Sequence, residues 1–209
     1  MQKSLVSQLP EHELTAMHLS APAFPHLNTA MVKILPPQER LAAYQDFIAS
    51  LRYNHVPGYH YNVRKRRPFH QLMATARDVM AKGLPIKCIE AAMLAMYLTC
   101  SCKAWHRYAV GFKSKVTGQC GAYRHIVLIV HDAEADLWGA LGISRRANLM
   151  YKPLQYVSLS SLITDFIQSY AAWRHRVVKV CCAESCASAC LWQVQGQHSG
   201  RTAWLVALL

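Results

Sequence analysis

The sequence predicts an α+β fold with helices packed on an antiparallel sheet, and two observations carry that prediction. Apolar residues recur at helical spacing through the first half of the chain, and after Thr99 the pattern turns to short β-branched or aromatic runs. The runs are separated by hairpin-sized turns, too short for the crossover helices of alternating βαβ units. At 209 residues the chain fits one ordinary domain with a full core.

Residues 1–35 carry Pro10, Pro22 and Pro25 with little periodicity, so an irregular or partner-docking segment is expected there, with one short helix over 10–19. From Pro37 the positions Leu41, Tyr44, Ile48 and Leu51 recur at three-to-four spacing and predict an amphipathic helix to about Arg52, ended by Asn54, Pro57 and Gly58. Leu72, Ala76, Val79 and Met80 predict a second, short helix that stops near Gly83. Pro85 then marks a non-helical approach to a third, which starts near Cys88 and runs through 89–98 without a breaker.

Strands are expected over 108–113, 123–130 and 137–143, with Gly118, Gly121 and the polar stretch 132–136 as turns. A last helix takes Ser158 or Ser160 as its cap and Leu162, Ile163, Phe166, Ile167 and Tyr170 as its apolar face. The run 175–180 closes the sheet. Beyond Cys181 the composition shifts to Cys, Ala, Ser, Gln and Gly without a period, and no structure is predicted. The organisation is thus a segment 1–35, a domain 36–180 and a Cys-rich tail 181–209.

A net charge of +12 is high for this length and implies an acidic partner. Zinc-finger spacing, a Gly-rich phosphate loop and an RNP-like aromatic motif are all absent, so nucleic acid is not expected. No run approaches the roughly 18 apolar residues of a membrane span. Pro10, Glu11, His12 and Glu13 interrupt any secretory pattern, so the eight cysteines are read as reduced and the location as cytoplasmic.

The chemistry is expected at Leu84-Pro85-Ile86-Lys87-Cys88-Ile89-Glu90. A cysteine in or near the first turn of a helix sees unpaired N–H groups and the positive end of the macrodipole, which favour thiolate; Lys87 adds a charge of the same sign. The plainer reading is a packed core cysteine, since free cysteine is commonly buried. A nucleophile needs a base, and His125 in Tyr123-Arg124-His125-Ile126-Val127-Leu128 is the best candidate. A helix-borne Cys with a strand-borne His later in the chain is how papain-like and transglutaminase-like folds assemble the pair. With eleven histidines in the chain, spacing alone does not select this one.

The segments Arg52-Tyr53-Asn54-His55, Arg64-Lys65-Arg66-Arg67-Pro68, Leu84 to Ala91, Tyr97-Leu98-Thr99, Arg124 to Leu128, 139–146 and Leu149-Met150-Tyr151-Lys152-Pro153 together resemble the vasohibins, in the same order, over roughly residues 40–180. The resemblance implies a transglutaminase-like cysteine peptidase that removes the C-terminal tyrosine of α-tubulin, with Cys88 as nucleophile, His125 as general base and Ser144 as third triad member. A backbone carbonyl could supply the same hydrogen bond to the imidazole as Ser144. It also implies that Lys87 and Arg145 hold the terminal carboxylate and that Tyr53 reaches the scissile carbonyl or its oxyanion. The basic cluster 64–67 and the net charge would hold the acidic tubulin tail. A small helical vasohibin-binding partner is a further implication.

No metal or organic cofactor is required by this chemistry, and Cys181, Cys182, Cys186 and Cys190 match no standard four-ligand spacing. The rival reading is a noncatalytic microtubule-binding module that keeps the basic face and uses Cys88 for packing. A binding module would need the basic groups without the thiol and the imidazole.

Overall fold

The computed structural model describes residues 26–64 and 67–184. The helix expected over 10–19, the Lys65–Arg66 part of the basic cluster, and Cys186 and Cys190 lie outside them. A short helix α1, Thr29–Ile34, stands where irregular chain was expected. Its cause is local: the Asn28 side chain accepts from the Met31 amide, 3.1 Å away, and Val32 is buried beneath.

Helix α2, Pro37–Ser50, begins on a proline whose fixed φ suits a first turn, and it buries Leu41, Tyr44, Phe47 and Ile48. Helix α3, Phe69–Lys82, starts a turn earlier than the apolar pattern suggested. Pro68 opens it, and it ends at Gly83, whose φ of 58° is left-handed and whose amide reaches the Val79 carbonyl. Helix α4, Cys88–Thr99, is apolar on every side and correspondingly buried, with Ala91, Leu94 and Ala95 wholly inside.

Five strands follow in one antiparallel sheet of order β4-β3-β2-β1-β5: β1 Trp105–Val116, β2 Tyr123–Asp132, β3 Leu137–Leu141, β4 Lys152–Tyr156 and β5 His175–Glu184. The expected antiparallel strands are present, each bounded slightly differently, while β4 is new. It carries Pro153, which an outer strand tolerates because a residue without an N–H need not pair on its open side. Helix α5, Leu159–Ala172, crosses between β4 and β5 with Ser158 as its cap, so β5 pairs with β1.

Helices lie on both faces of the sheet. Leu128, Val130 and Leu141 meet α2, α3 and α4, while Val110, Phe112, Val127 and Ile129 meet Leu162, Ile163 and Phe166 of α5. Burial on both sides explains why 127–130 reads as a continuous apolar run. Among the described residues no helix is long and apolar enough to cross a membrane.

Candidate active site

Two devices bring the start of α4 to the sheet. Residues 52–54 run beside residue 86, with Asn54 N donating to Ile86 O at 2.8 Å and Ile86 N to Arg52 O at 3.1 Å, and Tyr53 bridging to Ile86. Tyr53 and Cys88 are thereby held on neighbouring chains. Glu90, at the third position of α4, is fully buried, and its Oε2 accepts from the Lys87 amide at 2.6 Å, closing the first turn. Burial raises the Glu90 carboxyl above its ordinary value, with the Lys87 amide acting against it.

A cleft of about 600 Å³ lies at this junction, with Tyr53, Cys88, His125, Ser144, Arg145 and Leu149 on its wall. His125 Nε2 sits 2.7 Å from the Leu149 carbonyl oxygen. A carbonyl can only accept, so Nε2 carries the proton and Nδ1 keeps the lone pair. Burial lowers the imidazole pKa to about 4, the carbonyl contact opposing it, so the resting ring is neutral. That is the state of a proton acceptor.

Ser144 lines the same cleft, but its Oγ accepts from the Arg146 amide at 3.2 Å and shapes the turn rather than bonding the imidazole. The ring's partner is a main-chain oxygen in a 3-10 turn, Ala147–Leu149, closed by Leu149 N to Arg146 O. Arg145 extends over the Tyr53 ring, its Cζ 5.9 Å from the centroid. Burial first, and then negative charge on Cys88, raises the Tyr53 phenol, while Arg145 pulls it down. Tyr53 therefore stays a hydrogen-bond donor.

Lys87 is not on the cleft wall. Its ammonium donates to the Val56 carbonyl at 2.8 Å and lies 5.3 Å from the Tyr59 ring, so it braces the 53–61 loop in this state. Arg67 of the basic cluster is similarly engaged, donating to Asn62 O, Arg64 O and Thr75 Oγ1, while Arg64 is exposed. Only part of that cluster is therefore offered to a ligand.

Several wall residues carried no signal in the sequence. Tyr170, read as part of an apolar helix face, is 3% exposed on the cleft with a hydroxyl that has no hydrogen-bond partner among the described residues. Trp173 holds the far wall: its Nε1 donates to Asn148 Oδ1 at 2.9 Å, and the Arg146 guanidinium stacks on its ring at 3.7 Å. Arg124, Arg174 and His175 also line the cleft. Among the described residues, four arginines and no carboxylate line it, which suits an anionic ligand. Among the described residues, no group of three or more His, Cys, Asp or Glu is placed to hold a metal.

Comparison with known proteins bears on residues 3–195, which match the vasohibin family profile. A mouse protein named Tubulinyl-Tyr carboxypeptidase 1 is 41% identical over 145 residues, covering 69% of this chain. The chain spans 38% of that relative's length.

Proposed function

Because the chain belongs to the vasohibin family, we propose that it is a cysteine-type carboxypeptidase that removes the C-terminal tyrosine from α-tubulin. The observation that carries this reading is the shared cleft of Cys88 with a neutral His125 whose Nε2 is committed to the Leu149 carbonyl. That bond leaves Nδ1 as the acceptor for the thiol proton.

In the proposed cycle, Cys88 passes its proton to His125 Nδ1 and the thiolate attacks the carbonyl that precedes the terminal tyrosine. The Tyr53 hydroxyl, kept protonated by burial, donates to the developing oxyanion. His125 returns the proton to the leaving tyrosine amine, the C–N bond breaks, and a thioester to Cys88 remains. Water, deprotonated by the again neutral His125, hydrolyses it and regenerates the thiol. Leu149, not Ser144, is the group that orients the imidazole in this scheme.

Arg145 holds the terminal carboxylate, supported by its place on the wall beside Tyr53. Lys87 joins it only by leaving the Val56 carbonyl when substrate arrives. Arg124, Arg146 and Arg174 face the glutamates that precede the terminal tyrosine. The setting is cytoplasmic and microtubule-associated. A small helical partner belongs to the same reading, and the apolar surface of α1, with Met31 58% and Ile34 75% exposed, supports it.

Release of free tyrosine from a peptide ending in Glu-Glu-Tyr tests the proposal, with wild type and Cys88→Ala compared with and without an added vasohibin-binding partner. Release that disappears with Cys88→Ala supports the peptidase. Silence of both proteins under both conditions, with microtubules still bound, moves the noncatalytic module to the front.

A further inference from the structure

Beyond the cleft, the pairing register of the sheet assembles a second basic surface. Lys113 of β1 stands directly opposite Arg124 of β2 on one side and Lys179 of β5 on the other, and Lys115 pairs with Arg176. Directly paired residues point to the same face of a sheet. That face is the one α4 covers further along, where Arg107 is buried and bonded to the Thr99 and Cys102 carbonyls. Past Gly111 the cover ends: Lys115, Arg124, Arg176 and Lys179 are exposed and Lys113 half-buried.

Like charges placed directly opposite across strands destabilise a sheet, and here three such pairs share one face. Among the described residues these five side chains have no ion pair or hydrogen-bond partner. No acidic residue occurs in β1, in β2 before Asp132 or in β5 before Glu184. The repulsion has no relief within these strands.

We propose that this face is a docking surface for an acidic polypeptide segment, continuous with the cleft through Arg124, which belongs to both. Continuity favours a polypeptide, and to that extent the proposal rests on reading the cleft as a peptide site. The spacing suits one as well. An extended chain presents same-side residues roughly 6.6 to 6.8 Å apart, the step that separates Lys113 from Lys115 on their own strand. None of the five positions is aromatic, as base stacking would want. The exposed large apolar residue on β5, Val178, offers a membrane little to insert.

The test uses the full chain and a labelled decaglutamate with an amidated C-terminus, titrated against wild type and the triple variant Lys113→Gln, Arg176→Gln, Lys179→Gln. The variant should bind about tenfold more weakly, the scale of a few exposed charge pairs, with a shallower salt dependence. Its tyrosine release from the Glu-Glu-Tyr peptide should stay within about twofold of wild type, since none of the three lines the cleft. Unchanged decaglutamate affinity overturns the proposal. So does tighter wild-type binding to duplex DNA or phosphatidylserine vesicles that the same variant abolishes. Loss of decaglutamate binding with no tyrosine release from either protein leaves the surface standing and removes the peptidase reading.

Discussion

His125 and Leu149 are joined by a 2.7 Å hydrogen bond from an imidazole nitrogen to a main-chain oxygen. No side-chain substitution at residue 149 deletes that oxygen, whereas Ser144, on the same wall, spends its hydroxyl on the Arg146 amide. In a serine protease, replacing the carboxylate that orients the histidine costs around 10⁴ in kcat. Ser144→Ala is therefore expected to lower kcat for tyrosine release by less than about tenfold, through a loosened turn, far short of that benchmark. Steady-state kinetics on the Glu-Glu-Tyr peptide decide it, and a loss near that of Cys88→Ala would return Ser144 to the triad.

The same histidine makes stability depend on pH. Its folded pKa, lowered by burial to about 4, lies below the ordinary 6.5, so between those values the unfolded chain holds a proton that the folded protein does not. Folding stability contributed by the neutral ring is then intact above pH 6.5 and falls as pH drops towards 4. At pH 5 the loss amounts to about 2 kcal/mol relative to pH 8. Urea unfolding of wild type and His125→Gln at both pH values isolates it, because other titrations cancel in the difference. Equal pH dependence in the two proteins would show that the ring is solvated.

How far the sequence reaches is clear from the residues around this pair. Cys88 drew attention as a thiol at a helix start and His125 through the family resemblance, and the structure places both on the wall of one cleft. Leu149 was legible only as a leucine in a motif, since a carbonyl has no residue-type signature; its role depends on a 3-10 turn that no periodicity reports. Tyr170 follows the apolar spacing of α5 faithfully, and only the burial of its unpartnered hydroxyl on the cleft separates it from a packing residue. Strand β4 was not predicted: it is only five residues long, and its Pro153 is accommodated by the outer position of the strand. Lys87 sits beside Cys88 in sequence, yet its side chain reaches the Val56 carbonyl instead of the cleft.

Glu90 supports the nucleophile without facing it. Its carboxyl is 0% exposed and accepts from the Lys87 amide at 2.6 Å, so Glu90→Ala leaves a buried donor without a partner and opens a small void. The expected cost is about 2 to 3 kcal/mol. Glu90→Gln keeps an acceptor oxygen and removes a carboxyl that burial already disfavours in its charged form, so it should cost under about 1 kcal/mol. Thermal unfolding of the two variants reads the difference directly. Matching losses would mean that the carboxylate charge, which Gln lacks, is what Glu90 supplies, and not volume or a neutral acceptor.

Gly139 carries the constraint that sets β4 against β3. A Cβ built there would lie 2.8 Å from the Lys152 carbonyl oxygen and 2.9 Å from Leu41 Cδ2, with the Leu154 amide at 3.1 Å. Two of those three neighbours are backbone, so relief requires moving β4 itself. The pairing register between β3 and β4 already shifts across residues 138–140. Gly139→Ala is expected to cost about 3 kcal/mol or more, at the upper end of overpacking. Because Lys152 follows the turn that presents the Leu149 carbonyl, the displacement should also lower kcat. Gly111→Ala is the control: its added methyl would meet only atoms at 3.8 and 3.9 Å and should leave unfolding within about 1 kcal/mol of wild type. If both variants melt with wild type, β4 is free to shift, and the register does not hold the histidine's partner in place.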